Sequence, residues 1–119
     1  MSKPLDLLHV SILLERSETL AVLALEAEDH LSLDRWQATL CSLSMRYLDA
    51  LHALKTVEVQ FPDTNLTELR TQLWMLENEG HLACYLREDL STERCVSLVA
   101  DQLDSITAVR KSITALEAA

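Results

Sequence analysis

His52 is followed three residues later by Lys55 in the stretch LHALKTVEVQF, residues 51–61. On a helix that spacing sets an imidazole and an ammonium one turn apart on one face. An exposed histidine can there accept a phosphoryl group while the lysine neutralises its charge. His52 falls beside the apolar seam of its segment rather than on it, which permits the chemistry without requiring it. Glu58, about a turn and a half further on, would repel an incoming phosphoryl group. His52 and Lys55 therefore stand as an alternative phosphoacceptor pair, behind the plainer reading of two polar residues on a helix surface.

Other reactive groups are sparser still. Asp49 and His52 share a helix face at i,i+3, as do His81 and Cys84. A di-metal carboxylate bundle needs Glu-x-x-His twice with two further carboxylates, and only one approximate copy is present, so neither a metal site nor a cofactor is expected. There is no glycine-flanked serine elbow and no Gly-rich phosphate loop. Cys41, Cys84 and Cys95 sit in apolar periodic segments, which raise a thiol pKa rather than lower it. No enzyme is expected. The odd cysteine count in such contexts points to three reduced thiols packed in a core, slow to react with a maleimide, and hence to a cytoplasmic location.

Composition narrows the class. The 119 residues make one domain, 1–119, built around one core. Nearly half are apolar, only 4% are aromatic, and there is one glycine, a balance that favours helices over sheet. Ten basic against 19 acidic residues give a net charge of -9, which disfavours nucleic acid and an anionic membrane surface as partners. The stretch PLDLLHVSILLERSE is interrupted by Asp6 and His9 and is too short to span a bilayer, so no signal peptide and no membrane insertion are expected. No internal repeat is evident.

Four periodic segments would position these groups. Pro4 fits the first helical position of a helix running to about Asp29, with Val10, Leu13, Leu20, Ala27 and Leu31 on one stripe. Its LAVLAL run is apolar all round, as if sandwiched or offered to a partner. Ser32 is the expected N-cap of the second helix, in which Leu33, Trp36, Leu40, Leu43, Tyr47, Ala50, Leu54, Val57 and Phe61 alternate by three and four. QFPDTN ends it, because Pro62 cannot continue a helix. The third helix carries Leu69, Leu73, Leu76, Gly80, Ala83 and Leu90. Gly80 there marks either the close approach of a neighbouring helix or a hinge after Asn78. Ser91 caps a fourth helix with Val96, Val99, Leu103, Ile106 and Ile113 inward. Short links imply an all-α, up-and-down antiparallel four-helix bundle.

Two family resemblances bear on function. Histidine phosphotransfer domains are four-helix bundles whose pattern has His, Lys three on, then glycine, then a small residue two further; here those last places hold Thr56 and Glu58. The stretch ERSETLAVLALEAEDHLSLDRWQATLCSLSMRYLDALHAL resembles the first half of FliT-type flagellar export chaperones. The shared pattern is a Leu/Ala-rich helix, an acidic turn reaching a tryptophan (Glu28 to Trp36), and a long helix with an arginine, Arg46, before its last apolar run. LENEGHLACYLREDL, residues 76–90, is similar to the corresponding part of the third helix, so the resemblance covers about residues 10–90. It implies a non-catalytic cytoplasmic protein that keeps a filament-cap type export substrate soluble and brings it to the export apparatus.

Such a protein needs an apolar groove between helices, and Leu48, Leu51, Leu82, Leu86, Val99, Leu103 and Ile106 are the residues expected to bind the partner there. A homodimer could cover the same surface, and a regulatory or structural adaptor of another family would need no groove. The fourth helix, amphipathic and ending the chain, is expected to dock weakly, so that removing it after about Leu90 would leave three folded helices and raise partner affinity.

Overall fold

The computed structural model describes residues 4–119. Four helices run up and down: α1 Leu8–Glu26, α2 Leu33–Gln60, α3 Thr67–Tyr85 and α4 Thr92–Ala118. Single 3-10 turns, Glu28–His30 and Arg87–Asp89, precede α2 and α4, and no strand occurs among the described residues. Each helix packs on its two neighbours around the bundle, α1 on α2 and α4, and α3 on α2 and α4, with α2 and α4 also touching across the core.

Helix ends follow local side chains. α1 starts four residues later than Pro4, because the Asp6 carboxylate accepts the Leu8 N–H at 3.0 Å and sets the first turn there. Ser32 and Ser91 cap α2 and α4 as expected, accepting from the N–H groups of Arg35 and Arg94. Asn65 accepts from the Thr67 N–H to open α3.

The α2 seam from Trp36 through Val57 is buried as its spacing predicts, with Leu33 and Phe61 left partly exposed at its ends. α1 departs from its expected stripe. Its buried positions are Val10, Leu14, Ser17, Ala21 and Ala24, while Leu13 and Leu20 are half-buried. Small residues on that face let neighbouring helices come close, and the Ser17 hydroxyl donates to the Leu13 carbonyl at 2.9 Å, so its burial leaves the donor satisfied. α4 turns Cys95, Val99, Gln102, Ile106, Val109 and Ile113 inward, so Gln102 rather than Leu103 takes the core position. The Tyr47 hydroxyl donates to Gln102 Oε1 at 2.7 Å, which satisfies the amide oxygen, while Gln102 Nε2 is buried without a partner.

Gly80 lies inside an unbroken α3, which excludes a hinge after Asn78. A Cβ built on it would stand 2.7 Å from Tyr47 Cδ2 and 3.3 Å from the Ser44 Cα, so the glycine is where α2 and α3 approach. One turn along, that approach brings Cys41 and Cys84 together, with Cα atoms 4.8 Å apart, and they form a disulfide. The expectation of three free thiols is thus corrected. Cys41 and Cys84 sit half-buried on the facing edges of their helices. Cys95 alone is free, and burial pushes its thiol pKa up.

A further correction concerns repeats. The second half of the chain reproduces the first at an offset of 59 residues: Leu8 opens α1 and Thr67 opens α3, Leu33 opens α2 and Thr92 opens α4. Buried positions match at the same offset, Val10, Leu14, Ser17, Ala21 and Ala24 against Leu69, Leu73, Leu76, Gly80 and Ala83. In the second pair of helices Trp36, Leu40, Leu43, Tyr47, Ala50 and Leu54 match Cys95, Val99, Gln102, Ile106, Val109 and Ile113. The caps match as well, Asp6 with Asn65 and Ser32 with Ser91. The bundle is therefore two helical hairpins packed α2 on α3 and α4 on α1, the arrangement that an internal twofold gives. In it α4 is the equivalent of α2, a wall of the core. That position is at odds with the expected weakly docked cover.

Candidate partner-binding faces

The seven residues expected to bind a partner do not share one groove. Leu48, Leu82 and Leu86 are exposed, whereas Leu51, Val99 and Ile106 are core residues and Leu103 is half-buried. Burial of Val99 and Ile106 follows from the role of α4 as a wall. Leu51 is drawn in because it lies on the side of α2 that meets α3.

Leu82 belongs instead to an apolar face on the solvent side of α3. Trp74, Met75, Leu82 and Tyr85 are 56%, 53%, 50% and 76% exposed, and Leu86 continues the face past the helix end. With Thr71 and Asn78 they recur by three or four residues, a second stripe opposite the buried Leu69, Leu73, Leu76, Gly80 and Ala83. The first seam masks this one in the sequence, because a reading for the core assigns one apolar stripe per helix. Glu68, Glu79 and Glu88 lie at the margins, and all are exposed. Met45, beside Leu48, is a further exposed apolar residue on α2.

The equivalent face of the first hairpin is a groove of about 470 Å³ between α1 and α2, lined by Ile12, Glu15, Arg16, Thr19, Leu20, Leu23 and Arg46. At the 59-residue offset these positions fall on Thr71, Trp74, Met75, Asn78, Glu79, Leu82 and Ser105. The repeat thus presents corresponding outer surfaces of different composition, one with two arginines and the other with a tryptophan and a methionine.

His52 and Lys55 are both exposed. His52 lines a shallow groove of about 500 Å³ with Asp6, His9 and Asp49, where α2 passes the start of α1. Glu58 is engaged by Arg70 at 2.6 Å. Among the described residues no three His, Cys, Asp or Glu side chains are placed to hold a metal ion. His81 and Cys84 share no free thiol ligand, because Cys84 is in the disulfide. Tyr47 is the one tyrosine with a displaced pKa, pushed far above the ordinary range first by burial and then by the charge of Glu79. It serves the core through its bond to Gln102.

No described helix is long and apolar enough to cross a membrane. Comparison of the chain with protein-family models, with curated proteins and with solved structures finds no match in any of the three.

Proposed function

We propose that this chain is a non-catalytic protein-binding bundle that holds an aggregation-prone partner, as the resemblance to FliT-type flagellar export chaperones implies. The observation that carries the reading is the exposed stripe Trp74, Met75, Leu82 and Tyr85 on α3. A single domain rarely leaves so many large apolar side chains solvated on one helix face unless they meet a partner. Tryptophan, tyrosine and methionine are also the types enriched at the centres of interfaces. Methionine adds a side chain that adapts to varied shapes. An amphipathic helix laid along α3 would bury this stripe, and the flanking carboxylates favour a partner whose own margins are basic. The same acidic margins on a chain of net charge -9 oppose pairing with a second copy.

The cytoplasmic location is part of this proposal and comes from the resemblance. Cysteine usage no longer argues for it, since the Cys41–Cys84 disulfide is of a kind that persists in oxidising compartments. Capture from extracts of the native host tests the function. The wild-type chain should retain a flagellar or other secreted export substrate, and a Trp74→Glu/Leu82→Glu variant with unchanged circular dichroism should not. Equal capture by both, or capture of no export substrate by either, would refute the proposal.

A further inference from the structure

The α1–α2 groove has an apolar floor of Ile12, Leu20 and Leu23 and two arginines at its sides, Arg16 on α1 and Arg46 on α2. In a chain of net charge -9 this is a local reversal of sign: the lining carries two arginines against one carboxylate, Glu15. The ion pairs among the described residues are Arg70–Glu58 and Arg110–Glu18, and neither Arg16 nor Arg46 makes a side-chain hydrogen bond or ion pair. Arg46 is half-buried and lines the groove, whereas Arg16 is exposed.

We propose that this groove is a second docking site, which takes an acidic amphipathic helix of a protein partner. From Ile12 to Leu23 α1 runs about 17 Å at 1.5 Å per residue, the length of a three-turn helix. Such a helix would set apolar side chains at i, i+4 and i+7 onto the floor. Carboxylates on its flanks would meet the two guanidinium groups, which match carboxylate geometry in a bidentate fashion. A fatty acyl chain fits less well, because the groove is open and Leu23 stays 58% exposed. An anionic bilayer is disfavoured by the charge of the whole chain. The support from the internal repeat rests on the function proposed for α3, whose partner face is the equivalent of this groove. The corresponding outer surfaces of the two hairpins differ in charge, through Arg16 against Met75, Arg46 against Ser105, Leu20 against Glu79 and Glu15 against Trp74, and a difference in charge selects a different partner.

The test uses a pair of fluorescein-labelled, lactam-bridged helical peptides of about 12 residues, with leucines on one face and either glutamates or lysines on the flanks. Fluorescence anisotropy with the full chain should show saturable binding of the glutamate peptide, at least about tenfold tighter than the lysine peptide. Arg16→Glu/Arg46→Glu should reverse that preference, a gain for the lysine peptide that misfolding cannot produce. Trp74→Glu should leave it unchanged, which separates this site from the α3 face. The proposal is overturned if neither peptide saturates, if both bind equally, or if the double charge reversal leaves the preference as it was. It is equally overturned if Arg16 and Arg46 prove to mediate self-association by ultracentrifugation, or binding to phosphatidylserine vesicles in place of the peptide.

Discussion

Replacing Gly80 with alanine should destabilise this protein even though alanine is the better helix former. At an exposed interior position the exchange gains about 1 kcal/mol. Here the new Cβ meets Tyr47 Cδ2 at 2.7 Å, Tyr47 Cε2 at 2.9 Å and the Ser44 Cα at 3.3 Å. The ring cannot easily swing away, because Tyr47 is fully buried and its hydroxyl is held by Gln102 at 2.7 Å. Overpacking of this kind costs about 1–3 kcal/mol. Losing the Tyr47–Gln102 bond as the ring shifts adds about 1 kcal/mol. After the propensity gain the net loss is about 1–3 kcal/mol, read as a lower midpoint in urea unfolding of the oxidised protein with an unchanged slope. The internal repeat supplies the control. The positions equivalent to Gly80 and Tyr47 are Ala21 and Ile106, a pair that carries a Cβ opposite a smaller side chain. In a Tyr47→Ile background, Gly80→Ala should therefore be neutral or stabilising by up to about 1 kcal/mol. A Gly80→Ala cost that is the same in both backgrounds, or a stabilisation in the wild type, would refute the argument.

Reducing Cys41–Cys84 with dithiothreitol should lower unfolding stability by about 2–4 kcal/mol, the range for a bridge closing a loop of 43 residues, and should expose two thiols to a maleimide while Cys95 stays slow. Tyr47 has a raised pKa in the folded state, so its contribution to stability is complete below the ordinary tyrosine pKa near 10 and is lost as pH rises above it. Tyr47→Phe should flatten the fall in stability above about pH 10 while lowering stability at pH 7 by about 1–3 kcal/mol, through Gln102 left without its donor. Truncation after Leu90 should unfold the chain cooperatively, because Val99, Ile106, Val109 and Ile113 are at most 2% exposed and leave matching apolar faces on three helices; a folded three-helix product by circular dichroism would show that α4 is dispensable.

The sequence reveals what local chemistry decides. The three-four alternation of α2, the serine caps at Ser32 and Ser91, and the turn at Pro62 each act within a few residues, and all are found where the pattern puts them. The buried face of α1 is not legible from periodicity, because its LAVLAL run is apolar on every side; the choice falls to Ser17, Ala21 and Ala24, whose small size matters only once neighbours are in place. Gln102 looks like a surface residue until Tyr47 is set opposite it. Cys41 and Cys84 are 43 residues apart and meet only through the close approach at Gly80. The repeat is obscured because equivalent core positions exchange large for small, Trp36 for Cys95, or apolar for polar, Leu43 for Gln102, while preserving burial. The α3 solvent face is legible in part, through Leu82 and Leu86, whereas Trp74 and Tyr85 are masked by the stronger inner seam.

The central claim, that a protein partner is held on the solvent face of α3, is tested most directly by the two tryptophans. Trp36 is fully buried and is shielded from a quencher, whereas Trp74 is 56% exposed and belongs to the face. Acrylamide quenching of the chain, alone and saturated with a tryptophan-free segment of the captured partner, separates them. The expected result is a quenchable fraction in the free chain that disappears on binding, with a blue shift of the emission maximum. If the partner binds and Trp74 remains as quenchable as before, the binding surface lies elsewhere and the account of α3 is contradicted.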